Sequence, residues 1–274
     1  MNLNQFDHFL KTEGRDQTSD SRPSNAPWRW LCKCDAFFYI GITFFTLLGG
    51  VYGCFGKMTY RRWQWISYYI MRVYEAAGAK FELAGFENFP KDGKPCVFVC
   101  NHMGMAETYL LPSILLVGGD MVVIVKSSLM KYPGLGKILA EANAIPVDRK
   151  SPRDDLRTIL TVGKKRIAEG LSVLVFPQST RNVVFDPKTF NSIGAKLAAR
   201  SGVNIIPVAV KTDFQSIGKR FRDIGPLDRS KPILIQLGAP ISTTEGHSEK
   251  EAHAESLAWV ESTLRSWSVD VLEG

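Results

Sequence analysis

The stretch Asn101-His102-Met103-Gly104-Met105-Ala106-Glu107 carries two groups suited to proton chemistry, an imidazole and a carboxylate five residues apart. An imidazole titrates near neutral pH and can act as a general base, while a carboxylate can orient it and stabilise its protonated form. On one ideal helix this spacing turns two side chains about 140° apart. The pair can therefore meet only if His102 lies in a turn and Glu107 on the first turn of a following helix. The preceding run, Pro95-Cys-Val-Phe-Val-Cys100, is apolar and rich in β-branched and aromatic residues, which reads as a buried strand. Strand, turn and helix is thus the arrangement required, and α/β domains hold catalytic groups at strand ends. The same residues also fit a capping turn with an incidental surface histidine.

Two further stretches repeat the placement. Ile145-Pro146-Val147-Asp148-Arg149-Lys150 follows one strand-like run, and Phe176-Pro177-Gln178-Ser179-Thr180-Arg181-Asn182 follows another. Each puts an arginine just past a strand end, so three strand ends can converge on one rim. Arginine suits bidentate phosphate binding. Ser179, Thr180 and backbone amides can add hydrogen bonds to an anion, and Lys126 follows a further strand-like run. Any one of these cations alone reads equally well as a solvated surface group.

The elements that must position them begin near residue 80. Strand-like runs are 80–84, 96–100, 121–125, 144–146, 172–176, 205–210 and 233–237; helix-like runs are 105–116, 135–141, 152–169, 192–201 and 250–267. Ser151-Pro152 offers an N-cap followed by proline at the first helical position, and Ser248 to Glu251 is a capping box. Alternating strands and helices predict an α/β fold, a mostly parallel or mixed sheet flanked by helices.

The first part of the chain differs in texture. Residues 1–27 are polar and read as flexible. Residues 28–78 form an apolar helical segment, and 79–274 the α/β domain. Ala36 to Phe55 contains no charged residue and is long enough to cross a bilayer, although Thr43, Thr46 and several glycines interrupt its apolar character. Trp63-Gln-Trp65 through Tyr74 mixes Trp, Tyr and Arg in the manner of a membrane–water interface. The two segments predict an N-terminal apolar helical hairpin that dips into one leaflet or spans it; a helical pair packed on the domain's own core is the alternative.

The net charge is +7, from 34 Lys+Arg against 27 Asp+Glu, which suits an anionic partner. With no long basic block, nucleic acid is not expected; acidic lipid or a phosphorylated substrate is. Five cysteines at 32, 34, 54, 96 and 100 form no Cys-x-x-Cys and lie near no His cluster, so neither a metal site nor a disulfide framework is expected and a reducing compartment fits. No Gly-x-Ser-x-Gly elbow is present to support a serine hydrolase.

Asn-His-x4-Glu107, Lys126 with Tyr132-Pro133-Gly134-Leu135-Gly136, Ile-Pro-Val-Asp-Arg149, Phe-Pro-Gln-Ser-Thr-Arg181 and Ile206-Pro207-Val208-Ala209-Val210 occur in that order. The ordered set resembles the glycerophospholipid acyltransferase family that includes bacterial 1-acylglycerol-3-phosphate acyltransferases. The match runs over residues 78–240. The resemblance implies a membrane-associated enzyme, its active site facing the cytoplasm, that moves an acyl chain from acyl-CoA or acyl carrier protein to a lysophospholipid hydroxyl. The thioester is a co-substrate, and no cofactor or metal is implied.

By the same resemblance His102 is the general base, Glu107 its orienting partner, and Arg149 and Arg181 the ligands of the acceptor's phosphate, with Lys126, Ser179 and Thr180 beside them; Pro207 shapes the acyl site. Backbone amides near the Gly104 turn are candidate oxyanion donors. Two departures stand out: Glu107 replaces the family's usual Asp, and Gln178-Ser179 replaces its usual Glu-Gly. They leave open another acceptor, such as a lyso-amino-lipid, or a non-catalytic lipid-binding protein on the same scaffold.

Overall fold

The computed structural model describes residues 1–18, 34–90, 92–178, 180–244 and 246–273. Its centre is a sheet of β1 (Arg15–Gln17), β2 (Phe81–Ala84), β3 (Val97–Cys100), β4 (Met121–Lys126), β5 (Ile145–Val147), β6 (Ser172–Val175), β7 (Ile205–Lys211) and β8 (Ile233–Leu237). The spatial order is β1-β2-β8-β7-β3-β6-β4-β5. From β7 to β5 every pairing is parallel; β1 with β2 and β7 with β8 are antiparallel. The mixed α/β sheet expected from the alternation is therefore present. Its parallel part aims the carboxyl ends of five strands at one rim.

The central strands β3 and β6 are buried on both faces, which is why Val97-Phe-Val-Cys100 and Ser172-Val-Leu-Val175 read as largely apolar runs. One face is covered by α6 (Pro152–Ala168), α7 (Ile193–Ser201) and α8 (Glu249–Ser266). Ser151 caps α6, and Ser248 with Glu251 forms the expected capping box on α8. The other face is covered by α3 (Tyr60–Ala76), α4 (Ala106–Leu115) and α5 (Leu135–Glu141), together with α1 (Leu3–Glu13) and α2 (Asp35–Cys54).

The amino-terminal region departs from the flexible segment expected over 1–27. Residues 3–17 form α1 and β1, with Leu3, Phe6 and Leu10 buried in the main core and β1 paired to β2. Polar composition masked this, because the apolar residues needed are only three, at helical spacing. Residues 19–27 lie outside the described part.

The hairpin of α2 and α3 is present. Phe38 meets Tyr74, Phe45 meets Tyr69, and Arg62 lies over Tyr52, so the two helices run antiparallel. Both are integral to the domain. Ile66, Ile70, Met71 and Tyr74 of α3 belong to the same core as Phe81 and Phe98, so the change of texture near residue 79 marks no gap in packing. Helix α2 is docked along its whole length, from Phe38 to Gly53. Gly50 lets it approach the loop before α5 closely: a Cβ there would lie 2.4 Å from the Cα of Gly134.

Gly50→Val should therefore push α2 off α5 and cost about 1–3 kcal/mol, the usual penalty of overpacking. Urea unfolding in a mild detergent measures it; a change under about 0.5 kcal/mol, the range of ordinary surface substitutions, would show that α2 is not held by this contact.

Candidate active site

The rim is built from the backbone outward. Asn101, at the end of β3, is buried, and its side chain exchanges two hydrogen bonds with β7: its amide donates to Val210 O (2.9 Å), and Val210 N donates to its Oδ1 (2.8 Å). The next residue is clamped from the other side. His102 N donates to Gln178 Oε1 (2.7 Å), and Asn182 N donates to His102 O (3.0 Å). Both backbone groups of His102 are thus held by the loop after β6. The ring itself stacks on Phe176 at 4.4 Å between centroids.

Glu107 lies in the first turn of α4 and is fully buried. A buried carboxylate is costly unless its oxygens are bonded, and these are. Met103 N (2.9 Å), Gly104 N (3.0 Å) and the Thr212 hydroxyl (2.6 Å) all donate to it. His102 Nδ1 stands 3.6 Å from Oε2, an ion-pair separation slightly longer than a hydrogen bond. Burial alone raises the Glu107 pKa; the imidazole, the Thr212 hydroxyl and the local backbone outweigh it and hold the carboxyl below its ordinary 4.5. The helix amino terminus also favours the anion.

One chemical expectation is corrected here. The amides of Met103 and Gly104 already serve Glu107, so they are not free to receive an oxyanion. The glutamate's extra methylene, compared with aspartate, lets the side chain fold back from α4 to reach both of them.

Nδ1 faces Glu107, which leaves Nε2 as the nitrogen available for proton transfer. His102 lines a narrow apolar cavity with Trp63, Met121, Val123, Leu135 and Leu139, and Lys126 and Arg149 are also on its wall. A second, open cleft of about 430 Å³ shares Ile124, Arg149 and Phe176 with it and adds Asn191, Ser192 and Lys196. Arg149 thus faces both. It holds a left-handed backbone (φ 57°), which the Asp155 carboxylate stabilises by accepting from Asp148 N and Arg149 N. Burial lowers the Arg149 pKa; Asp155 opposes the shift and Arg181 adds to it.

Arg181, one residue before the clamp at Asn182, pairs through Nη2 with Asp223 (2.6 Å). Thr180 is exposed at the rim, and Ser179 lies outside the described residues. Pro207 is elsewhere. It packs in β7 beneath Gly238 and Trp259, on the face opposite the His102 cavity, and does not line that cavity. The strand's alternation explains this: Ile206, Val208 and Val210 face the cavity side, and Ile205 and Ala209 face α8.

Thr212, Gln178 and Asp223 are contacts that motif reading alone misses. Thr212 directly follows β7 on the same rim, a placement that would have flagged it. Nothing in the local sequence marks Asp223.

A histidine beside a buried carboxylate at the rim of a parallel sheet, next to a narrow apolar cavity and near a cleft lined by Arg149 and Lys196, is an arrangement suited to group transfer. The comparisons with known proteins make the class specific. A family model described as Acyltransferase matches residues 80–211. The chain is 28% identical over 203 residues to a 1-acyl-sn-glycerol-3-phosphate acyltransferase of Pseudomonas aeruginosa, covering 73% of this chain and 75% of that protein. It is 30% identical over 134 residues to a chloroplastic 1-acyl-sn-glycerol-3-phosphate acyltransferase of Brassica napus, covering 48% and 37%. In fold it resembles the crystal structure of the 1-acyl-sn-glycerophosphate (LPA) acyltransferase PlsC from Thermotoga maritima, with a TM-score of 0.66, 19% identity, and coverage of 89% of this chain and 98% of that one. On these matches the chain is an acyltransferase, similar to the 1-acyl-sn-glycerol-3-phosphate acyltransferases.

Because the folded Glu107 pKa lies below its unfolded value, the carboxylate contributes stability above about pH 4.5 and loses it as pH falls through the folded value. Glu107→Gln should be less stable than wild type at neutral pH, with the difference narrowing as the solution is acidified. Its kcat should fall by about 10²-fold or more. Thermal melts across pH and steady-state kinetics check both; a variant as acid-sensitive as wild type would place the charge elsewhere.

Proposed function

We propose that this enzyme transfers an acyl chain from an acyl thioester, acyl-CoA or acyl carrier protein, to the free hydroxyl of a lysophospholipid, with 1-acylglycerol-3-phosphate as acceptor, in phospholipid synthesis. The observation that carries the proposal is the His102–Glu107 pair opening onto an apolar cavity beside Lys126 and Arg149. The names of the relatives support the choice of acceptor.

The chemistry runs as follows. His102 Nε2 takes the proton of the acceptor hydroxyl, whose oxygen attacks the thioester carbonyl. Glu107 stabilises the imidazolium. The tetrahedral intermediate collapses with loss of the C–S bond, and the departing thiolate recovers the proton from His102. The thioester supplies its own leaving group. The cavity, of about 50 Å³, offers the acyl group an apolar wall rather than room for its whole length, while Arg149 and Arg181 suit a phosphate.

The Gln178 departure does not argue for a different acceptor. Its side chain is buried against the His102 backbone, where an amide oxygen accepts the bond a carboxylate would accept.

Membrane contact rests on α2. Phe37, Ile40, Phe44, Leu47, Val51 and Phe55 are exposed at three- and four-residue spacing, an apolar stripe along the side that does not pack on the domain. A helix docked along its length supports seating in one leaflet over crossing the bilayer. Cys34, Cys54, Cys96 and Cys100 are all free, which supports a site on the cytoplasmic side.

Thiol release from acyl-CoA or acyl carrier protein, with and without a lysolipid panel, tests the function. Acceptor-dependent release is expected with wild type and should fall by about 10²–10⁴-fold in His102→Ala, the usual contribution of a general base. Full activity in that variant would exclude the mechanism. Arg181→Ala should raise the acceptor KM by about tenfold or more while leaving the donor KM near its wild-type value, a charge-assisted contact being worth about 1.5–3 kcal/mol; an effect confined to the donor would reverse the assignment.

A further inference from the structure

The loop joining β7 to β8 carries a second apolar feature outside α2. Phe221 is 63% exposed and Ile224 57% exposed. Lys219, Arg220 and Arg222, all exposed, surround them. Isolated surface apolar residues are ordinary. Two of them within one turn, interleaved with three cations, form an apolar wedge ringed by positive charge.

The turn is firmly folded. Ser216 N bonds Pro226 O (3.1 Å), Gly218 N bonds Arg222 O (3.3 Å), and Ile224 N bonds Phe221 O (2.9 Å). A Cβ at Gly218 would lie 2.1 Å from the carbonyl oxygens of Phe221 and Ile224, so only glycine allows the winding. The wedge is therefore presented without a large ordering cost. It is tied to the start of α2: Gly225 N donates to the Tyr39 hydroxyl (2.9 Å), and Leu227 N to the Asp35 carboxylate (3.1 Å). The loop thus stands beside the end of α2 where Phe37 and Ile40 are exposed.

The same turn reaches the rim. Asp223 lies between the wedge residues. One carboxylate oxygen pairs with Arg181 Nη2 at 2.6 Å, and the other accepts from the Tyr132 hydroxyl at 3.3 Å. Arg222 donates to the carbonyl of Arg181 (3.4 Å). Arg181 Nη1 is buried with no hydrogen-bond partner among the described residues. The guanidinium therefore has Asp223 on one tine and a shielded, unpaired nitrogen on the other. A bidentate phosphate contact would use both.

We propose that the loop Gly218–Gly225 seats on an acidic bilayer surface, as a second lipid contact beside α2, and that seating draws Asp223 from Arg181 so that the guanidinium receives the acceptor's phosphate. The second half rests on the reading of Arg181 given above. Hydrocarbon takes Phe221 and Ile224, and anionic headgroups attract Lys219, Arg220 and Arg222. Asp223 lies inside the turn closed by the Ile224 N–Phe221 O bond, so a displacement of the tip would carry to it.

The test uses the full chain and vesicles of phosphatidylcholine with or without phosphatidylglycerol. Sedimentation should show tighter binding of wild type to the acidic vesicles. Phe221→Ser/Ile224→Ser should weaken that binding by at least tenfold with α2 intact, while keeping wild-type thiol release on lysolipid in detergent. Arg220→Gln/Arg222→Gln should abolish the preference for acidic vesicles. Asp223→Asn, assayed in detergent, should lower the acceptor KM severalfold with the donor KM unchanged.

Loop variants that bind both vesicles like wild type would overturn the lipid contact. A raised acceptor KM in Asp223→Asn would overturn the masking of Arg181 and make Asp223 a positioning residue. Absence of transfer under every condition would overturn the acyl-transfer reading and the Asp223 coupling with it; the vesicle measurements decide the lipid contact independently.

Discussion

The buried carboxylate of Glu107 is the constraint around which the rim is arranged. A charge removed from water must find several partners. Here the donors come from two places, two amides of the turn after β3 and the hydroxyl that follows β7, with the imidazole of His102 3.6 Å away as a charge partner. Satisfying that one group fixes the turn, the first turn of α4 and the spacing between two central strands. The histidine is then oriented by the same bonds that make the burial tolerable. Stability and chemistry are coupled at this residue.

The rest of the rim supports the same geometry. Asn101 stitches β3 to β7, and the loop after β6 grips both backbone groups of His102. His102 is therefore held by the loop after β6, and its neighbour Asn101 by β7, with Phe176 beneath the imidazole ring. Cations lie farther out, where the apolar cavity and the open cleft meet at Arg149.

The apolar amino-terminal region has a double role. Its inner face completes the domain core, through α3 and the glycine-lined contact of α2 with α5; its outer stripe is left without protein cover. Composition alone suggested an appendage because an apolar helix looks the same whether lipid or protein takes each face. Only the packing shows which face the protein covers and which it leaves exposed.

Much was determined by the sequence itself. Buried parallel strands must be continuously apolar, so the seven strands from residue 80 onward were legible. The helix caps at Ser151 and Ser248 are local chemistry and were legible too. The His102–Glu107 pair and the arginines after β5 and β6 could be read from their positions after strand-like runs. Other features depend on strands far apart in sequence becoming neighbours in the sheet. The placing of Thr212 and Gln178 around His102, the commitment of the Met103 and Gly104 amides to Glu107, and the removal of Pro207 to the opposite face are of this kind. So are the ordering of residues 3–17, where three apolar side chains suffice once a core is there to receive them, and the pairing of Asp223 with Arg181. Local sequence encodes how a segment buries its side chains, whereas partners across the sheet are chosen by topology and register, which no single segment contains.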